Sequence, residues 1–194
     1  NGMKGILFRK IDNDGQLKKY HERIPVEYIV QDLIELPVEV SVFYYRFPWE
    51  QKGVVSGFID KELLQVKGNG QSTLKELVAA HPRAKFRMEE MEHRHGHRFE
   101  RIIPQEEIFY LSYAGNHNRG AHFTNLHREI DEKLQKVFDD LSHYTDKFYY
   151  GRYDIKTTSI EDLKKRKNFQ ILEFNGCGAE PNHIYDCDMS IWKA

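Results

Sequence analysis

The chain contains little cysteine: only Cys177 and Cys187 among 194 residues. Two are too few for a disulfide framework, so a reducing compartment is expected. Excess charge is also scarce, because 29 Lys and Arg face 30 Asp and Glu for a formal net charge of −1. That balance removes the electrostatic pull toward nucleic acid or an anionic membrane, and neither is expected as a partner. No apolar run approaches the roughly 18 residues of a membrane-spanning helix. Asn1-Gly2-Met3-Lys4-Gly5 has neither the basic start nor the apolar stretch of a secretory signal. Repeats, linker-like stretches and low-complexity segments are absent. A cytoplasmic location follows as the expectation. Core-forming material is ample, with 40% hydrophobic and 13% aromatic residues, which excludes a disordered chain.

The patterning predicts many strands joined by short turns. Asn13-Asp14-Gly15 signals a turn, and Gln16 to Arg23 reads as a polar helix. Tyr28 to Ile34 reads as a brief strand that ends before Pro37. From Val38 to Phe47 the residues alternate: Val38, Val40, Val42 and Tyr44 on one face, Glu39, Ser41, Phe43 and Tyr45 on the other. Gly53 to Asp60 and Glu62 to Lys67 read as two further strands of an antiparallel meander. Thr73 and Glu76 have the spacing of a capping box ahead of Leu74, Leu77 and Val78. His81 to Arg101 reads as a helix with surface loops, and Ile108 to Ala114 as a strand. Leu126, Ile130, Leu134, Val137, Phe138 and Leu141 form a helical stripe. Phe148 to Lys156 and Phe169 to Phe174 read as strands, the second buried, around a short charged helix at Ile160 to Lys167. The fold class predicted is α+β, an antiparallel sheet flanked by helices.

The last quarter carries the chemistry. Arg152 and Asp154 lie two apart on one strand face, and Glu173 and Asn175 do the same on the next strand. If these strands pair antiparallel, the four polar ends meet. Two buried carboxylates repel unless a proton or cation lies between them. Carboxylate and amide oxygens are the hard ligands that Mg²⁺ prefers, often together with substrate phosphates. The competing reading is a plain ion pair of Arg152 with Asp154 or Glu173 at a strand edge.

Gly151-Arg152-Tyr153-Asp154-Ile155 and Leu172-Glu173-Phe174-Asn175-Gly176, taken together, resemble the metal-binding strand pair of ATP-grasp enzymes such as D-alanine–D-alanine ligases. The resemblance implies an ATP-grasp fold and an ATP-dependent carboxylate–amine ligase that works through an acyl phosphate. ATP and two Mg²⁺ would be its cofactors, and a small-molecule carboxylate and an amine its substrates; a homodimer is a separate expectation that the resemblance does not itself supply. Asp154, Glu173 and Asn175 would hold the metal, and Arg152 would stabilise the oxyanion.

Other segments extend the resemblance. Ile29 to Ile34 resembles the family's hinge strand, where Gln31 and the backbone at Asp32 and Leu33 would meet the adenine. Glu39 resembles the acid that binds the ribose hydroxyls. Val66 to Leu77 resembles a turn-and-helix segment of the cyanophycin synthetase branch. The loop Asn116-His117-Asn118-Arg119-Gly120 resembles that branch's loop near the reacting phosphate, with Asn116 as a nucleotide contact and Arg119 as a second catalytic cation. A solvated surface loop is the alternative. Asn1 to Gly5 looks like the tip of the Gly-rich loop over the phosphates, with Lys4 as its contact.

Glu180-Pro181-Asn182-His183-Ile184-Tyr185-Asp186 departs from the Ser-containing turn of D-alanine–D-alanine ligases. Glu180 and His183 suit an amine or a more polar substrate, or else form a rigid turn. On this reading residues 1–34 are a remnant of the smaller ATP-grasp subdomain with the hinge strand, and residues 35–194 are the C-terminal catalytic subdomain. The N-terminal part of the fold is then expected to be missing, and the fragment alone is expected to be inactive. The alternative is a non-catalytic ATP-grasp-fold nucleotide-binding or assembly domain. His93, His95 and His97 read as a solvated segment rather than a metal site, and Cys177 with His183 is no recognised nucleophile pair.

Overall fold

A computed structural model describes residues 8–24, 26–144 and 147–184. In chain order its elements are helix α1 (Asp14–Arg23), strands β1 (Val38–Tyr45), β2 (Val54–Glu62) and β3 (Gln65–Lys67), and helices α2 (Leu74–Ala80) and α3 (Met88–His95). Strands β4 (Ile108–Tyr110) and β5 (His122–Asn125), helix α4 (Glu132–His143), strand β6 (Tyr150–Thr157), helix α5 (Ile160–Lys164) and strand β7 (Phe169–Asn175) follow. Helices and antiparallel sheet are mixed, as the patterning predicts. The chain divides into two compact units. One comprises Asn1–Leu33 and Leu63–Ala121, the other Ile34–Glu62 and His122–Ala194.

The second unit is built on a five-stranded sheet of order β5-β2-β1-β6-β7, with every pairing antiparallel. Val40, Val42 and Tyr44 of β1 turn one face of the sheet toward Leu134, Val137 and Phe138 of α4 and Leu163 of α5. This burial is the main driving force of the unit, because removal of apolar area from water outweighs the other favourable terms. Three side-chain bonds complement it. Asp139 accepts from the Tyr44 hydroxyl at 2.7 Å and from the Gly53 amide at 2.8 Å, and Gln135 accepts from the Val55 amide at 2.9 Å. Asp131 caps α4 by accepting from the Leu134 amide.

The first unit has its own core of Leu64, Val66, Leu74, Val78, Met91 and Ile103, among others. Strands β3 and β4 form a separate two-stranded sheet. The capping box forms at α2: the Thr73 side chain accepts from the Glu76 amide, and the Glu76 carboxylate accepts from the Thr73 amide.

Four expectations need correction. The segment from Tyr28 to Ile34 is not a strand; it is irregular, and Ile29 is 87% exposed. Its short apolar run finds no partner strand among the described residues, so no ladder stabilises it. The third strand of the expected meander pairs with β4 rather than β2, and it is three residues long, with Leu63 and Leu64 outside it. Strand β5 was not anticipated, and Leu126 and Ile130 lie ahead of α4 although both pack against its core. Last, β7 is a largely exposed edge strand rather than a buried one. Its apolar contacts come from Phe169, which packs against the core, and from Phe174, whose ring packs on Phe148 (4.0 Å) and Tyr153 (5.2 Å).

Phe138 is fully buried at the α4–sheet contact. Phe138→Ala should therefore cost about 3–5 kcal/mol of stability, read as a lower urea midpoint at an unchanged denaturant slope.

Candidate functional site

The face of the large sheet opposite α4 carries a polar cluster beside the buried Phe43 and Ile59. In antiparallel pairing, directly opposed residues share a face. Strand β6 sets Arg152 opposite Asn175 and Asp154 opposite Glu173 on β7, and Arg152 opposite Phe43 and Asp154 opposite Ser41 on β1. Glu39 lies opposite Lys156. Ser41 in turn opposes Ile59 of β2, and alternation places Lys61 on that same face. All four residues predicted to converge therefore share one face. A bulge between Asp154 and Ile155 marks the pairing with β7.

Asp154 is the hub, at 6% exposure. Its Oδ1 accepts from the Lys61 ammonium at 2.7 Å, from Arg152 Nε at 3.1 Å and from the Ser41 hydroxyl. Its Oδ2 accepts from Arg152 Nη2 at 3.2 Å and from the Asn175 side-chain amide at 3.1 Å. Lys61 is as buried as its partner. Burial alone would push the Asp154 carboxyl up, but the charges of Lys61 and Arg152, with hydrogen bonds from Lys61 and Ser41, outweigh it and hold the group below its ordinary value. Burial dominates at Glu39 and raises its carboxyl, with partial relief from Lys61 and Lys156.

The chain then folds back over this face. Arg152 Nη1 donates to the Glu180 carbonyl at 3.0 Å, and the buried Asn182 side chain donates to Ser41 Oγ at 3.4 Å. The His183 ring packs against Phe43, with centroids 5.7 Å apart. It also lies over Gly57, where a Cβ would come within 2.1 Å of Nδ1, so only glycine admits this approach. His183 Nδ1 is buried with no hydrogen-bond partner among the described residues. Burial, then the charge of His127, lowers its pKa.

The donor chemistry of Asp154, Glu173 and Asn175 suits a hard divalent cation. Glu173 is exposed and makes no hydrogen bond or ion pair among the described residues. Asn175 spends an N–H on Asp154, which leaves its carbonyl oxygen as the acceptor. Asp154 is already neutralised by two cations, so a metal would have to share it with Lys61 and Arg152. Among the described residues no group of three His, Cys, Asp or Glu side chains is placed to hold a metal ion; the set assembled here is two carboxylates and an amide.

Ser41, Lys61 and Asn182 were not singled out from the sequence. Lys61 lies inside Asp60-Lys61-Glu62, which reads as a polar strand end. Its one signal is that it continues the alternation through Gly57 and Ile59.

The remaining predicted residues lie in the first unit or outside the description. Gln31, Asp32 and Leu33 are exposed in the irregular segment. The Asn116 side chain accepts from the Asn118 amide at 2.8 Å and so caps the turn His117–Arg119. Arg119 binds Glu90 at 2.6 Å. Lys4 lies outside the described residues, as does Cys187. Cys177 is exposed. His95, one of the three alternating histidines, is partly buried, bonded to the Leu111 carbonyl at 3.0 Å and set edge-on to Phe109. No helix among the described residues is long and apolar enough to cross a membrane.

Neither a family model nor a curated protein sequence matches the chain. Among solved structures it is similar to the crystal structure of a bifunctional glutathione synthetase from Pasteurella multocida. The TM-score is 0.47 and the identity 15%, over 76% of this chain and 22% of that one. The chain thus spans about a fifth of that protein's length, and the likeness is too loose to carry a function.

Two outcomes test the hub. Lys61→Met leaves part of a buried ion pair behind and should cost about 3–5 kcal/mol in thermal or urea unfolding, with Lys61→Met/Asp154→Asn losing less than the sum of the two single variants. The pH dependence follows from the depressed carboxyl. Its stabilisation is complete above the unfolded-state value near 3.8 and is lost as pH falls through the lower folded-state value. The melting-temperature gap between wild type and Asp154→Asn should therefore narrow on acidification from neutrality through that window.

Proposed function

We propose that the chain carries the metal–nucleotide end of an ATP-dependent carboxylate–amine ligase of the ATP-grasp type, similar to D-alanine–D-alanine ligases. The observation that supports this most is the register Asp154–Glu173 and Arg152–Asn175 on one sheet face. It assembles the two halves of the motif from separate strands, as the resemblance requires.

On this reading Glu173, Asn175 and Asp154 would hold Mg²⁺, which supplies charge neutralisation on the phosphates when bound. Arg152 is held by Asp154 and the Glu180 carbonyl, and each of its terminal nitrogens keeps a second N–H. Such a preorganised guanidinium is suited to stabilising the oxyanion that forms when an amine attacks an acyl phosphate. Lys61 keeps Asp154 ionised and fixed. Glu39, buried on the same face, is the assigned ribose contact. The turn at Glu180 lies beside Arg152 and is the candidate substrate-binding segment. Packing of His183 on Phe43 and Gly57 makes its ring a wall of that segment. Gln31, Asp32, Leu33 and Asn116 remain the proposed nucleotide contacts, and Arg119 a proposed catalytic cation.

One observation favours a second reading. Lys61 and Arg152 together already neutralise Asp154, so this part of the face is stable without a metal, as a domain that binds without turnover would allow.

Calorimetry with Mg-ATP separates these readings. Wild type should bind, and Asp154→Ala with Glu173→Ala should weaken binding at least about tenfold. Unchanged affinity in that double variant sinks the metal assignment. Binding without ADP release across a panel of carboxylates and amines would favour the non-catalytic reading.

A further inference from the structure

After β7 the chain returns to the sheet, and few polar contacts hold it there. Arg152 Nη1 donates to the Glu180 carbonyl at 3.0 Å, the Tyr150 hydroxyl donates to the Ala179 carbonyl at 3.5 Å, and the Asn182 side chain donates to Ser41 Oγ at 3.4 Å. A further anchor is the His183 ring, seated against Phe43 of β1 and Gly57 of β2. Of the ring atoms, Nδ1 lies nearest to where a Cβ on residue 57 would stand.

His183 as a residue is only partly buried, yet its Nδ1 is covered and has no hydrogen-bond partner among the described residues. Orphaned buried N–H groups are rarer in folded proteins than under-used acceptors. The neutral ring therefore keeps Nδ1 bare and carries its proton on Nε2. A second proton has one place to go, the covered Nδ1, where it would create a charged donor with no acceptor. The acids nearby offer no relief. Asp154 is held by Lys61 and Arg152, and neither Glu39 of β1, Glu129 in the turn after β5 nor Glu180 bonds the ring. The hydroxyls of Tyr45 and Tyr150 do not bond it either. The bases on these elements, Lys61, Arg152 and Lys156 on the sheet and His127 and Arg128 in the turn, disfavour added positive charge. Burial, and then the charge of His127, accordingly hold the ring below its ordinary value.

We propose that His183 is a proton-operated latch: the neutral ring holds segment 176–184 closed over the polar cluster of the sheet, and protonation at Nδ1 releases the segment from Ser41 and Arg152. The latch stands on this packing and does not depend on the ligase reading. Closure is favoured fully above the free-histidine value of 6.5, and the preference is lost as pH falls from there through the lower closed-state value. A single proton is linked, so the closed-to-open ratio drops at most about tenfold per pH unit in that window.

Nuclear magnetic resonance on the whole nitrogen-15-labelled protein tests the latch. Above neutrality, His183 Nδ1 should show the shift of a bare ring nitrogen and Nε2 that of a protonated one. The Ala179 and Ile184 amides are hydrogen-bonded inside the segment and report its opening. Their exchange, corrected for intrinsic rates, should quicken by up to about tenfold per pH unit on acidification below 6.5. His183→Phe keeps an aromatic ring without the nitrogen and should abolish that acceleration. Gly57→Ala drives a Cβ into the ring and should exchange fast at every pH, with circular dichroism confirming its fold. A protonated Nδ1 above neutrality overturns the proposal, as does a corrected wild-type rate that ignores pH. Equal acceleration in His183→Phe, or wild-type exchange in Gly57→Ala, overturns it as well.

Discussion

A carboxylate buried in the middle of a sheet face is the constraint around which the second unit is organised. Asp154 can lie there ionised only because Lys61 and Arg152 approach it from neighbouring strands and Ser41 and Asn175 supply further hydrogen bonds. Unpaired, the charge would face a desolvation cost of several kcal/mol. Four of the five strands are tied to this requirement. β2 brings Lys61, β1 brings Ser41, β6 carries Asp154 and Arg152, and β7 adds Asn175. A register slip of one residue in any of them would turn the polar set into the apolar core and the core into solvent.

The two faces of that sheet divide the labour. The α4 side provides the burial that stabilises the unit. The polar side is held in place by a charge network with little tolerance for rearrangement. Segment 176–184 closes over part of it, with Asn182 and His183 packed against β1 and β2. Glu173 is exposed on the edge strand, the one carboxylate of the set with room for an added cation. A face with one satisfied and one available carboxylate is suited to recruiting charge rather than merely storing it.

Charge is arranged differently in the first unit. There Glu90 pairs with Arg87, Arg94 and Arg119, and basic residues outnumber acidic ones, whereas acidic residues outnumber basic ones in the second unit. Both arrangements are invisible in the composition, because a net charge of −1 averages over them. Spatial segregation of charge, and not its total, distinguishes surfaces that attract oxyanions from surfaces that do not.

Much of this was legible in the residues. Period-two alternation places Val38 to Tyr44 correctly, the Thr73–Glu76 spacing yields its capping box, and Arg152, Asp154, Glu173 and Asn175 share one face as their spacing predicts. These features are set by neighbours a few positions apart, which is the range over which backbone periodicity acts. The rest depends on partners distant in the chain. Whether Tyr28 to Ile34 becomes a strand, whether Lys67 pairs with β2 or β4, and whether Phe169 to Asn175 is central or at an edge are all decided by which other strands are available. Lys61 reaching Asp154 across β1, and three arginines meeting at Glu90, arise the same way. Local pattern dictates which side chains point together along a strand, while only the folded chain decides which strands, and therefore which charges, become neighbours.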